Sequence, residues 1–110
     1  MNIIFDEMDW KENPNFKGGE GIFRNKMSDD GTNKIMMGLL RPGCSIGYHK
    51  HEGSCEIIFV LEGKGSVVYD GEESEVGPGQ CHYCPEGHMH SLANNGEEDL
   101  IFYAAVPAQG

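Results

Sequence analysis

Residues 43–63 read GCSIGYHKHEGSCEIIFVLEG, and within them His49 and His51 are two apart, with Glu56 five residues further on. On an extended strand, side chains at i and i+2 share a face, so the two imidazoles point the same way. The four residues from Glu52 to Cys55 are a length common in β-hairpin loops. In a symmetric hairpin His51 then faces Glu56, with Cβ atoms roughly 5 Å apart. Two neutral nitrogens and a carboxylate converge on one point from adjacent strands, which is a metal site in outline.

A second stretch, residues 79–94, reads GQCHYCPEGHMHSLAN. Gly43, His49, His51, Glu56 and Gly63 fit G-x5-H-x-H-x4-E-x6-G, and Gly79, Pro85, Gly87, His90 and Asn94 fit G-x5-P-x-G-x2-H-x3-N, both without a gap. On these two motifs the chain resembles a single-domain cupin over roughly residues 35 to 106. The resemblance implies a small antiparallel β-barrel, a jelly-roll-like double-stranded β-helix. It also implies that His49, His51, Glu56 and His90 bind one divalent transition metal inside it. Cupins host many unrelated activities, so the fold does not decide the chemistry.

The rest of the sequence agrees with an all-β chain. At 110 residues there is material for one core. Sixteen glycines punctuate short β-rich runs, and no long amphipathic helical period appears. Expected strands are 22–27, 34–41, 45–52, 56–62, 66–70, 72–76, 80–84, 87–94 and 100–106. Asp70-Gly71 is a two-residue hairpin signal, and Asn95-Gly96 reads as the start of a last hairpin. Residues 1–20, irregular and containing Pro14, read as an N-terminal arm laid over the barrel of residues 21–110 or over a neighbouring subunit.

Charge narrows the partners. Eight Lys and Arg against 18 Asp and Glu give a formal net charge of −10, which repels phosphate backbones and excludes nucleic acid as a partner. No run approaches the ~20 apolar residues of a membrane helix. The acidic N-terminus lacks the basic region of a signal peptide, so a cytoplasmic location is expected. There Cys81 and Cys84, a C-x2-C pair with no matching second pair, stay reduced and pack as small apolar residues.

Three histidines and a carboxylate suit a six-coordinate Mn, Fe, Co or Ni, with about two positions left for water or a bidentate acid, whereas closed zinc sites favour more sulfur. Zn stays within the set, since affinity order alone does not choose. The GYHKHEG stretch resembles small cupins associated with oxalate binding or decarboxylation. Two functions follow: a metal-dependent enzyme on a small oxygen-rich acid (decarboxylase, dioxygenase or isomerase), or a non-catalytic ligand-binding module. Arg24 is the candidate anchor for an anionic ligand if its strand face points inward, and an ordinary surface arginine otherwise. Tyr48 falls on the face opposite His49, His88 reads as rim, His82 as surface and Asn94 as a turn residue. On 56–62, Ile57, Phe59 and Leu61 share an outward apolar face, so a homodimer is expected to cover it.

Overall fold

Asp70 and Gly71 both take positive φ, 47° and 86°, the backbone that a two-residue hairpin turn demands. They join β6 (Gly65–Tyr69) to β7 (Glu72–Val76) in register, Tyr69 opposite Glu72. The structure, a computed structural model, describes residues 1–109 and contains eight further strands: β1 (Lys11–Pro14), β2 (Ile22–Asp29), β3 (Asn33–Leu40), β4 (Ser45–Lys50), β5 (Glu56–Glu62), β8 (Cys81–Cys84), β9 (Met89–Ala93) and β10 (Leu100–Pro107). Two antiparallel sheets result, one ordered β1-β2-β3-β10-β5-β8 and the other β4-β9-β6-β7. Their inner faces meet over one core, to which Phe23, Leu40, Ile58 and Phe102 contribute from the first sheet and Ile46, Val67 and Leu92 from the second. This is the double-stranded β-helix expected from the sequence.

Packing in that core is tight. Phe23 and Phe102 stack with centroids 6.0 Å apart. The ring of Phe102 lies across Gly38, where an added Cβ would come within 2.3 Å of it. Only glycine fits there.

Two expected hairpins are not hairpins. β4 pairs with β9, whereas β5 pairs with β10 and β8, so the strands flanking residues 51–55 belong to different sheets. The connection is carried across by distant backbone: Cys55 N donates to Pro107 O, Gln109 N donates to Gly53 O, and Ser54 bridges Ala108. His51 and Glu56 therefore approach across the space between the sheets rather than as a cross-strand pair. Likewise β9 and β10 lie in separate sheets, so Asn95-Gly96 begins a crossing.

The N-terminal residues are built into the first sheet. β1 pairs with β2, Asn13 opposite Phe23, at the sheet edge where Pro14 is tolerated. A tight turn at Phe16–Gly18 then presses on β4, close enough that a Cβ on Gly47 would lie 2.1 Å from Lys17 O. Further out, Phe5 stacks on Tyr103 at 5.6 Å.

Alternation along β5 is as expected, with Glu56, Ile58 and Val60 buried and Phe59 and Leu61 outside. Phe59 retains 52% of its surface and Leu61 39%. Register places Met37, Tyr103, Phe59 and Cys81 in one row across the outer face, and Ile35, Ala105, Ile57 and Tyr83 in the next. Among the described residues, no helix is long and apolar enough to cross a membrane.

Candidate metal centre

His49 and His90 face each other across β4 and β9, next to a break in register between Ile46 and His49. His51 follows β4 directly; its N–H donates to His88 O and its carbonyl accepts from Gly87 N, which ties it to the loop entering β9. Glu56 opens β5 from the opposite sheet. One donor atom from each of the four lies within 4.8 Å of the other three. His51, Glu56 and His90 are buried and His49 is half-buried.

The inner three are closely set. His51 Nε2 lies 2.9 Å from His90 Nε2, and Glu56 Oε1 lies 3.1 Å from the first and 3.0 Å from the second. A divalent ion with bonds of roughly 2.1 Å puts ligand atoms at right angles about 3.0 Å apart and tetrahedral ones about 3.4 Å apart. The observed separations fit mutually adjacent corners of an octahedron.

Outer partners aim each ring. His49 Nδ1–H donates to Gly47 O at 2.7 Å, which leaves the Nε2 lone pair for the centre. His51 Nδ1 meets Ser54 Oγ at 3.2 Å, and His90 Nδ1 meets His82 Nε2 at 3.0 Å. All three imidazoles thus have Nδ1 engaged outside and Nε2 turned inward. Burial alone would raise the Glu56 carboxyl, but hydrogen bonds from His51 and His90, and their charge, hold it down at about 2. Burial also lowers His49 below its usual value, against the pull of Gly47 O. An ionised carboxylate beside three imidazole nitrogens is a donor set that suits a divalent cation. The residues fit the metal.

Comparison with known proteins agrees. A model described as "Cupin domain" matches residues 36–106. The chain belongs to the cupin family. This cupin is 39% identical over 67 residues to an oxalate-binding protein of Thermotoga maritima, a match spanning 61% of this chain and 55% of that one. It is 33% identical over 66 residues to a glucose-6-phosphate isomerase of Pyrococcus abyssi, spanning 56% of this chain and 35% of the isomerase. The matches thus span about half or less of these curated relatives' own length. Among solved structures, a predicted oxalate decarboxylase of Thermotoga maritima superposes with a TM-score of 0.92 at 28% identity, covering 99% of this cupin and all of that chain. The cupin domain of Schizosaccharomyces pombe Cnp3 superposes with a TM-score of 0.79 at 11% identity, which speaks for the fold alone.

Other expected positions divide. His88 is on the rim, hydrogen-bonded to Asp70 and stacked on Tyr69. Tyr48 is exposed, away from the cluster. Asn94 holds a turn from a fully buried position, its amide donating to Leu40 O and Glu98 O while its oxygen accepts from Gly96 N. Cys84 points inward and Cys81 outward, so the C-x2-C pair does not face a common point.

Two readings need correction. Arg24 does not face the cluster: Phe23 and Asn25 take the inward positions of β2, and Arg24 pairs with Glu12 at 3.0 Å on the outer side. His82 is not a surface residue but half-buried behind His90, where burial, followed by the charge of His90, lowers its pKa to about 4. Strand parity could have found it, since His82 lies opposite inward-facing Ile58.

The cluster opens on a cavity of about 400 Å³, lined by His49, His51 and Glu56 at its base. Phe23, Met36, Ile46 and Val106 form an apolar wall, and Lys11, Lys17, Lys34 and Lys50 lie around it.

Proposed function

We propose that this cupin binds one divalent metal through His49, His51, Glu56 and His90 and acts on a small oxygen-rich acid that enters through the cavity. The observation that carries the reading is the approach of three donor atoms to within 2.9–3.1 Å beside an open cavity rather than under a plug of side chains. Four protein ligands on a six-coordinate ion leave two adjacent positions for a chelating acid. When bound, the metal would polarise the oxygens of that acid. The protein's own contribution is to fix the ligand tautomers through Gly47 O, Ser54 and His82 and to keep Glu56 charged. The apolar wall excludes water from one side of the ligand. Decarboxylation, oxygenation and isomerisation all remain within this reading. The oxalate-binding relative supports a small oxygen-rich acid as the ligand, and the isomerase relative supports a catalytic role.

A second reading, ligand binding without turnover, draws on the position of the proton-bearing groups. Apart from the ligands, the ionisable side chains lining the cavity are four lysines and Glu52. Metal analysis of purified protein tests the common part of both readings. Incubating loaded protein with oxalate and with 2-oxo acids, while following CO2 release and O2 uptake, separates them. Turnover selects the enzyme, and saturable binding without it selects the module.

We further propose that the chain works as a homodimer through the outer face of the first sheet. Ile35, Phe59, Leu61, Tyr83 and Tyr103 each keep 39–54% of their surface exposed there, and Phe5 covers only part of it. A cytoplasmic site of action is the companion expectation.

A further inference from the structure

Asn25 is 6% exposed and lies in the apolar wall of the cavity. The orientation of its amide follows from its neighbour in β1. Asn13 Nδ2 lies 2.9 Å from Phe23 O, which identifies that end of Asn13 as the donor. The same Nδ2 lies 3.1 Å from Asn25 Oδ1, so the oxygen of Asn25 is the acceptor and its NH2 group points the other way. There, among the described residues, it meets only sulfur, Met36 Sδ at 3.8 Å and Met27 Sδ at 4.0 Å. Thioether sulfur is a weak acceptor. Two N–H donors are therefore buried in a hydrophobic wall with no protein oxygen to receive them, an arrangement that costs stability unless something else accepts.

The charge around the cavity points to what would accept. The chain holds 18 acids against eight Lys and Arg, yet Lys11, Lys17, Lys34 and Lys50 line this one cavity. Among the described residues, only Lys50 of these four has a carboxylate within 4.0 Å, Glu52 at 3.7 Å. Cations left unpaired on so acidic a protein make a local positive field that draws anions inward.

The geometry points to a specific substrate class for the proposed metal-dependent function, on which this inference rests: an acid larger than oxalate. Its carboxylate and adjacent oxygen meet the metal cluster. A branched or aromatic body lies on the Phe23, Met36 and Val106 wall, and one of its oxygens accepts from Asn25 Nδ2. Oxalate has no apolar atoms to place against that wall. A 2-oxo acid with a bulky side chain meets every part of the cavity. The apolar wall thus sets the specificity, Asn25 anchors an oxygen of the bound acid and the lysines are the attracting ring.

Calorimetric titration of cobalt-loaded protein with phenylpyruvate, pyruvate and oxalate tests this. Phenylpyruvate is expected to bind at least about tenfold more tightly than either smaller acid. Asn25→Asp keeps the acceptor for Asn13 but replaces the donors with negative charge. It is expected to weaken phenylpyruvate about tenfold or more while cobalt content and absorption stay unchanged. Lys11→Glu with Lys34→Glu should weaken it further and reduce its salt dependence. Equal affinity for phenylpyruvate and oxalate, or an Asn25→Asp variant that binds phenylpyruvate as wild type does, overturns the inference. Failure of the wild type to take up metal would sink the metal reading instead. In that case metal-free protein must still bind phenylpyruvate in an Asn25-dependent way, and absence of such binding overturns the inference on its own.

Discussion

His82 Nε2 lies 3.0 Å from Nδ1 of His90, on the side of the ring away from Glu56. One of the two nitrogens must carry a proton, and when His90 Nδ1 is the donor its Nε2 lone pair is free for a cation. Replacing the acceptor removes that bias. His82→Ala is expected to weaken cobalt or manganese binding by about 10–100-fold. His82→Gln, whose side-chain oxygen can accept from His90, should recover much of it. Metal dissociation constants measured alongside the melting temperature of metal-free protein check this. Loss of thermal stability with unchanged metal affinity would mean that His82 only fills space.

His51 contacts both other inner ligands, Glu56 and His90. Its removal should cost more than one bond, because Glu56 loses a hydrogen-bond partner as well as the metal a donor. His51→Ala is expected to abolish stoichiometric metal in the purified protein. Elemental analysis reads this directly, and full metal content in the variant would refute the assignment.

Acid should destabilise metal-free protein in two steps. His82 has its pKa lowered to about 4 from 6.5, so below pH 6.5 the unfolded chain takes up a proton that the folded chain refuses. That contribution is complete above pH 6.5 and is lost as pH falls toward about 4. Glu56, lowered from 4.5 to about 2, contributes above pH 4.5 and loses its part as pH falls toward about 2. Both slopes have the same sign. Urea midpoints across pH 7 to 3 should fall throughout. The His82→Gln variant should lose part of the upper slope, since His49, also lowered by burial, supplies the rest, and should keep the lower.

Strand positions were legible because turns in this chain are written locally. Glu56–Glu62 and Glu72–Val76 match expectation at both ends, bounded by Gly63, Asp70-Gly71 and Gly77. Sheet membership was not legible. The connections at 51–55 and 95–99 have lengths that suit hairpins, and what carries the first across is Pro107, Ala108 and Gln109, some 50 residues away. The shared face of His49 and His51 was readable from β-strand parity, which holds whichever sheet a strand joins, whereas Glu56 and His90 were set beside them by the resemblance of the two motifs to cupins. The face of Arg24 stayed open in the sequence because residues 22–27 have apolar side chains on both faces, so alternation could not say which was inside. The buried donors of Asn25 were beyond sequence reasoning, because their direction depends on Asn13 in a strand that did not read as one.

Asn94 joins segments far apart in sequence, with Nδ2 2.8 Å from Leu40 O and 2.7 Å from Glu98 O. It is 1% exposed, so no water stands ready to replace it. Asn94→Ala leaves two carbonyls and the Gly96 N–H without this partner, at a cost of about 1–3 kcal/mol for each group that stays buried. Asn94→Asp keeps the acceptor for Gly96 but sets a carboxylate against two carbonyl oxygens. It should be no better tolerated. Chemical denaturation of both variants, with a clear loss expected in each, checks the role, and wild-type stability in Asn94→Asp would refute it.

The outer face of the first sheet is the surface on which we propose that two chains pair. Its two cross-strand rows centre on Phe59 and Ala105, with Tyr103 and Tyr83 beside them, and Phe59 and Tyr83 are each more than half exposed. The chain's own N-terminus is already committed elsewhere: β1 is paired to β2, Phe16 packs on Phe23, and Phe5 reaches only Tyr103. No segment among the described residues is left to close over Phe59 and Leu61. A second copy presenting the same surface can, because a two-fold axis brings one apolar face onto its equal. Repulsion between two chains of net charge −10 is screened over about 8 Å in physiological salt, less than the span of the face. Light scattering in such salt should therefore give twice the chain mass of 12.1 kDa. Phe59→Asp should shift the protein to monomer without loss of metal, since Phe59 points away from the cluster. A wild-type monomer at micromolar concentration, or a Phe59→Asp dimer, would show that this face is not the interface.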